Sequence, residues 1–147
     1  METILSRGME DGLVEDAVID KIVRDTSELA AHGVGSIAIS SNDPADYPDD
    51  SFDNMKALAA KLAFPFPYVL DESQAVAKAY GAVCTPDFFG YDGDLKLVYR
   101  GRLDGGRTEP PKKGAKRELL TAMETVARGA EAPKQQAPSV GCSIKWK

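Results

Sequence analysis

Two sulfur atoms carry most of the chemistry open to this chain: Cys84, within Cys84-Thr85-Pro86, and Cys142, within Gly141-Cys142-Ser143-Ile144-Lys145-Trp146. A cysteine reacts as its thiolate, and a nearby histidine, a cation or a helix N-terminus lowers its pKa enough to make that form common. Neither cysteine has an obvious activator of this kind in the neighbouring sequence. Two inert thiols and a redox pair are therefore both open readings. Pro86 stands at the entrance of a predicted strand, where the missing N–H is tolerated. The bond before it is either an ordinary trans bond or a cis one, and the tripeptide alone does not choose.

Other constellations offer less. Two cysteines are too few for a disulfide-stapled scaffold, and a single histidine, His32, excludes most zinc and haem arrangements. Asp43, Asp46, Asp49, Asp50 and Asp53 lack the glycine and terminal glutamate of a Ca²⁺ loop and read as a solvated acidic helix entrance. His32, beside Gly33, reads as a helix C-terminal contact. Lys112, Lys113, Lys116 and Arg117 form a basic cluster too small and too poor in aromatics for nucleic acid. No Gly-x-x-x-x-Gly-Lys pattern supports nucleotide binding. A net charge of −5, from 18 basic and 23 acidic residues, argues against nonspecific binding to nucleic acid or anionic membrane. No run approaches a membrane span and no signal-peptide core follows Met1, so a cytoplasmic location is expected.

The elements that must position these residues follow from periodicity. At 147 residues the chain has the size of one domain, 1–147. Val14, Val18, Ile22 and Leu29, with Ala17 and Ile19, trace one face of a helix over 13–31, and Asp20, Lys21, Arg24, Asp25 and Glu28 occupy the other. Val34 to Ser40 reads as a buried strand. Phe52 to Ala63 reads as a second helix capped by Ser51. Tyr68-Val69-Leu70 is a short extended piece, and Ser73 to Tyr80 a third helix ending at Gly81. Asp87–Tyr91 and Leu95–Arg100 flank Asp92-Gly93 as a hairpin. A last helix runs from about Ala115 to Arg128. Residues 130–147 have no periodicity, and Val140, Ile144 and Trp146 suggest a tail that packs on the body. The alternation argues for an α/β layer structure.

Several stretches carry a resemblance. Gly33-Val34-Gly35-Ser36-Ile37-Ala38-Ile39-Ser40-Ser41-Asn42-Asp43, Asp71-Glu72-Ser73-Gln74, Ala79 to Phe89 and Gly141 to Trp146 resemble the peroxiredoxin-like redoxin family, bacterial relatives of the alkyl hydroperoxide reductase and thiol-specific antioxidant group. The resemblance implies an α/β, thioredoxin-like sandwich with a C-terminal β-hairpin, and covers roughly Ala17 onward. It implies thiol-dependent oxidoreduction, either peroxide reduction or thiol–disulfide exchange. No metal or organic cofactor is implied beyond a reducing thiol partner such as a thioredoxin-type protein, and the substrate is a peroxide or a protein disulfide. It further implies a cis bond at Thr85–Pro86, with Cys84 and Cys142 as the catalytic thiols. Thr85 would then present its backbone, beside Pro86, to an extended substrate peptide.

The chain departs from that family at its start. The family opens with a strand pair and then Asn-His-Cys-Pro-Tyr-Val, whose cysteine heads the first long helix, where free N–H groups stabilise a thiolate. Here Gly12 stands at that position, and the expected upstream strands are absent, so the domain reads as N-terminally truncated. A catalytically inactive binding or assembly module is the alternative reading. The missing central strand has three outlets: residues 2 to 5 substitute for it, the two flanking strands close up, or a second copy pairs with them. Thr3-Ile4-Leu5 is short, so closing up or self-association ranks first, and with it a homo-oligomer and reduced stability.

Overall fold

The computed structural model describes residues 2–7, 12–45, 47–107, 109–110 and 112–147, with side chains described from Val18 onward. A five-stranded sheet has the order β3-β2-β1-β5-β6, with β1 Glu2–Arg7, β2 Gly35–Ser40, β3 Tyr68–Leu70, β5 Asp87–Tyr91 and β6 Leu97–Gly101. A separate two-stranded ribbon joins β4 Cys84–Thr85 to β7 Cys142–Ser143. The helices are α1 Gly12–Ala31, α2 Phe52–Lys61, α3 Ala75–Tyr80 and α4 Glu118–Ala127. β1, β2 and β3 run parallel, while β5 lies antiparallel to both β1 and β6.

The centre of the sheet corrects the ranking of outlets. Residues 2–7 fill it: Glu2 to Arg7 pair with Gly35 to Ser40 on one side, and Thr3 to Ser6 pair with Gly90 to Asp87 on the other. Closing up is excluded, because β2 and β5 are not neighbours. The physical reason is the backbone. A strand held on both sides satisfies two rows of N–H and C=O groups that would otherwise be stranded in the interior. The short apolar run understated the element, since its partners, not its own composition, set its length.

Burial follows from which way each strand's side chains point. Along β2 and β5 successive residues alternate between faces. Ala38 and Phe88 join the larger core with Ile22 and Leu29 of α1, Leu119, Leu120 and Met123 of α4, and Tyr99 of β6. Ile39 and Phe89 face the opposite way and meet Ala77, Ala82 and Ile144 of the tail. α1 ends in the left-handed turn at Gly33, φ +78°, a conformation that L side chains rarely adopt. Its polar face is only partly left to solvent. Lys21 is 1% exposed and its ammonium donates to Asp104 at 3.0 Å and to the Arg107 carbonyl at 2.7 Å. Asp25 is fully buried and pairs with Arg24 and Arg117. Lys21 and Asp25 thus form an internal polar seam between α1, the 103–107 loop and the start of α4, while Asp20 and Glu28 of the same face stay exposed.

Boundaries differ little from expectation. Ser51 caps α2, its hydroxyl accepting from the Asn54 amide at 3.4 Å. α3 starts at Ala75 and α4 at Glu118, each two or three residues later than the periodicity suggests. Among the described residues, no helix is long and apolar enough to cross a membrane.

Candidate functional site

β4 is two residues long because Pro86 follows it, and the Thr85–Pro86 bond is cis. Both β4 residues are buried. The Cys84 thiol donates to the Pro86 carbonyl at a sulfur distance of 3.8 Å. Burial pushes its pKa above the ordinary thiol value, and the carboxylate of Asp87 pushes it further, with Arg100 opposing. Arg100 clips this corner together: its guanidinium donates to the Gly81 carbonyl at 2.5 Å, stands 3.6 Å from the Asp87 carboxylate and lies 4.9 Å over the Phe89 ring. The Asp87 carboxylate also accepts from the Val83 amide at 3.4 Å. Cys84 is therefore a buried, protonated thiol at neutral pH.

The second thiol arrives from the far end of the chain. β7 lies antiparallel to β4, with Cys142 opposite Thr85 and Ser143 opposite Cys84. The Thr85 hydroxyl donates to the Cys142 carbonyl at 3.4 Å. Such an approach needs glycine next door. A Cβ on Gly141 would collide with the Thr85 carbonyl oxygen and stand 2.7 Å from its carbon. Both cysteines are free, Cys84 buried and Cys142 exposed. Because side chains alternate along each strand, Cys84 shares a face with Ser143, and Thr85 with Cys142. The two thiols meet on one ribbon but point to opposite faces, so a bond between them requires β7 to shift.

A polar clasp holds the end of the tail. The Gln74 side-chain amide donates to the carbonyls of Ser41 at 2.8 Å and Lys145 at 2.9 Å, and its oxygen accepts from the Lys147 amide at 3.0 Å. Asn42 accepts from the Lys145 amide at 3.0 Å and donates to Asp50 at 2.9 Å. Asp71 supports the same corner, accepting from the Ser41 hydroxyl and the Ala77 amide, each at 3.0 Å. Burial alone would raise the Asp71 pKa, but these hydrogen bonds outweigh it and hold the carboxyl below its usual range.

The structure thus places Cys84, Thr85, Pro86 and Cys142 together. Gly12 heads α1, as the resemblance implies. Gln74, Asn42 and Asp71 are not among the candidates that the sequence singles out. The signal that could have found them is their place in the stretches that carry the resemblance, Gly33 to Asp43 and Asp71 to Gln74; in the fold Gln74 is fully buried, with its backbone left-handed at φ 61°. The acidic loop is not uniformly solvated, since Asp50 is buried against Asn42, while Asp46 lies outside the described residues. His32 bonds Glu124 of α4 at 3.3 Å rather than capping its own helix. Arg117 leaves the basic cluster to pair with Asp25 and Glu28.

Comparison with known proteins bears on this arrangement. The model of the AhpC/TSA family matches residues 16–100, a span that includes Cys84, Thr85 and Pro86 and begins after Gly12. The chain is 42% identical to an uncharacterized conserved protein from Geobacillus kaustophilus, with TM-score 0.87, covering 99% of this chain and 77% of that one. It is 34% identical to a hypothetical protein from Sinorhizobium meliloti, with TM-score 0.87, covering 99% and 79%. At 16% identity and TM-score 0.62, covering 86% and 74%, it shares a thioredoxin-like fold with a Neisseria meningitidis protein assigned as a thioredoxin. No curated protein matches the chain.

Proposed function

Because this chain belongs to the AhpC/TSA family, we propose that it performs thiol–disulfide exchange on an extended polypeptide, using Cys142 as the entry thiol and Cys84 as the resolving one. The observation that carries this reading is the antiparallel pairing of Cys84–Thr85 with Cys142–Ser143, which gathers both thiols beside Pro86. Peroxide reduction needs a strongly activated thiolate. Gly12 offers no sulfur at the helix head, and burial keeps Cys84 protonated.

In this reading the exposed Cys142 thiolate attacks one sulfur of a substrate disulfide. The S–S bond breaks, one substrate thiolate leaves, and a mixed disulfide remains. Cys84, once deprotonated, attacks the Cys142 sulfur and expels the second substrate thiolate. A Cys84–Cys142 disulfide is left, and two electrons have passed to the substrate, whose thiolates take up two protons. A reducing dithiol of thioredoxin type reverses the exchange and restores both thiols. The second step is slow at neutral pH, because Cys84 must first lose its proton and β7 must shift to bring the sulfurs together.

The test is insulin reduction with a dithiol reductant. Cys142→Ser is expected to lower turnover at least tenfold, and Cys84→Ser to accumulate the mixed disulfide. Equal turnover in all three chains refutes the assignment. A second reading, a binding module without redox activity, draws support from Gly12 and from the raised Cys84 pKa. It predicts no turnover with any reductant, while a polypeptide still binds.

A further inference from the structure

Arg100 joins three parts of the molecule. Its amide donates to the Gln136 side-chain oxygen at 2.9 Å, so the tail pins its backbone. Its side chain rises from the same face of the sheet as Phe89, its cross-strand partner on β5, and the guanidinium lies 4.9 Å over that ring. From there it donates to the Gly81 carbonyl at 2.5 Å, where α3 ends, and stands 3.6 Å from the Asp87 carboxylate. Gly81 and Asp87 bracket residues 82–86, which hold Cys84 and the cis bond, so one side chain ties both ends of that turn. A planar, forked guanidinium suits the task, since it can meet two acceptors while stacking on a ring. The pair it makes is lopsided: Arg100 is 42% exposed, whereas Asp87 is 2% exposed. Such a carboxylate is costly to bury without its cation. Among the described residues, the charged or titratable groups that act on the Cys84 thiol are Asp87 from β5, Arg100 from β6 and Cys142 from β7.

From this arrangement we infer that Arg100 is the positioning residue for the resolving thiol: one guanidinium fixes the Gly81–Asp87 turn that carries Cys84 and balances the buried Asp87 charge beside it. The inference rests on the proposed function in taking Cys84 as the resolving thiol. In that step Cys84 gives its proton to solvent and its thiolate attacks the Cys142 sulfur. The bond from Cys142 to the substrate sulfur breaks, and the substrate thiolate leaves with the electron pair. Negative charge therefore appears on Cys84 within a buried corner that already holds a carboxylate. After burial itself, Asp87 is the main influence against that charge, and Arg100 is the influence that favours it. Arg100 acts through Asp87 and the turn, not by touching the substrate, and its removal leaves both the turn and the buried carboxylate without their partner.

The experiment reads Cys84 directly. In a full-length Cys142→Ser chain, where Cys84 is the remaining cysteine, its alkylation by iodoacetamide is followed from pH 7 to pH 10. Adding Arg100→Gln is expected to slow the reaction about threefold at pH 9, where the uncompensated Asp87 is still ionised. Adding Asp87→Asn instead is expected to speed it. A merely structural role for Arg100 predicts the opposite sign for Arg100→Gln, because a loosened turn exposes the thiol. Equal or faster alkylation in the Arg100→Gln chain overturns the inference. If that chain does not fold, the double variant Asp87→Asn/Arg100→Gln decides, since it leaves no carboxylate unpaired at this corner. It should react about threefold more slowly than Asp87→Asn alone, and equal rates overturn the inference. With Cys142 restored, Arg100→Gln should accumulate the mixed disulfide during insulin reduction, and turnover equal to that of the unaltered chain overturns its part in the resolving step. No insulin reduction by the unaltered chain, with the order of alkylation rates as expected, removes the redox reading and leaves the action of Arg100 on Cys84 standing. Insulin reduction with equal alkylation rates does the reverse.

Discussion

The two faces of the sheet are closed by different means. On one, α1 and α4 bury Leu29, Leu119 and Met123 against Phe88 and Tyr99, and the polar seam of Lys21, Asp104, Asp25 and Arg117 lies between packed elements. On the other, a smaller cluster of Ile39, Ala77, Ala82, Phe89 and Ile144 is completed by a chain terminus, and amide hydrogen bonds do much of the holding. The first face is fixed by apolar volume, whose loss leaves cavities, and by ion pairs sealed between its elements. The second is fixed by directional bonds, which can be broken singly. Both thiols lie on the β4–β7 ribbon, next along the chain from Ile144 of this second cluster.

Breaking the first face should have the largest effect. Lys21→Ala leaves the Asp104 carboxylate buried without its ammonium, and removing one member of a buried pair costs about 3–5 kcal/mol. At ~2–4 °C per kcal/mol for a domain of this size, the melting temperature should fall by roughly 10 °C, read by calorimetry. A fall of under about 3 °C would mean that the seam is wet and the contrast between faces overstated.

Gln74→Ala tests the second face. It leaves the carbonyls of Ser41 and Lys145 short of a donor, at about 1–3 kcal/mol in all. The expected signature is local. Hydrogen exchange should quicken at 144–147 while amides of α1 and α4 keep their protection.

The titrating groups sharpen the contrast at both ends of the pH range. The folded Asp71 carboxyl lies below its ordinary value of 3.8, so its stabilising contribution is present above that pH and is lost as pH falls through the lower folded value. Asp71→Asn should flatten that acid limb of a urea-unfolding series. Cys84 has the opposite sign. Its folded pKa lies above 9.0, so as pH rises past 9.0 the unfolded chain loses the proton first and stability declines until the folded thiol also ionises. In a Cys142→Ser chain, alkylation of Cys84 by iodoacetamide should stay slow through pH 9 and rise beyond it. A half-maximal rate at pH 8.5 or below contradicts a buried, protonated thiol.

The smallest change is expected at the surface of the first face. His32 meets Glu124 with both side chains partly in water. His32→Ala should alter stability by less than about 0.5 kcal/mol, within reach of paired denaturant titrations.

Much of this was legible in the residues. β3 and β5 fall where the sequence places them, α1 differs by one residue, and Ser51 caps α2, because each depends on local period or local capping. What escaped depends on partners far along the chain. Nothing within Glu2–Arg7 announces a central strand. Its six residues become one because Gly35–Ser40 and Asp87–Gly90 stand on either side. The same holds at the site. Cys84, Thr85 and Pro86 stood out as a tripeptide and Cys142 as the tail's cysteine, but their register, and the opposite facing of the two thiols, exist only once β7 has crossed the molecule. The burial of Lys21 and Asp25 on the polar face of α1 was illegible for a related reason, since it depends on a loop and a guanidinium from far along the chain packing over them.

The position of β1 also sets an order of events during synthesis. Its first partner, β2, emerges after α1, but its second, β5, follows only after α2, β3, α3 and β4. Until Asp87–Gly90 has left the ribosome, one whole edge of the strand has no mate, and the nascent sheet exposes a β-rich border. Contacts so distant in sequence close slowly. The central strand of the finished domain is thus made before both of its partners and is enclosed only when the second of them arrives.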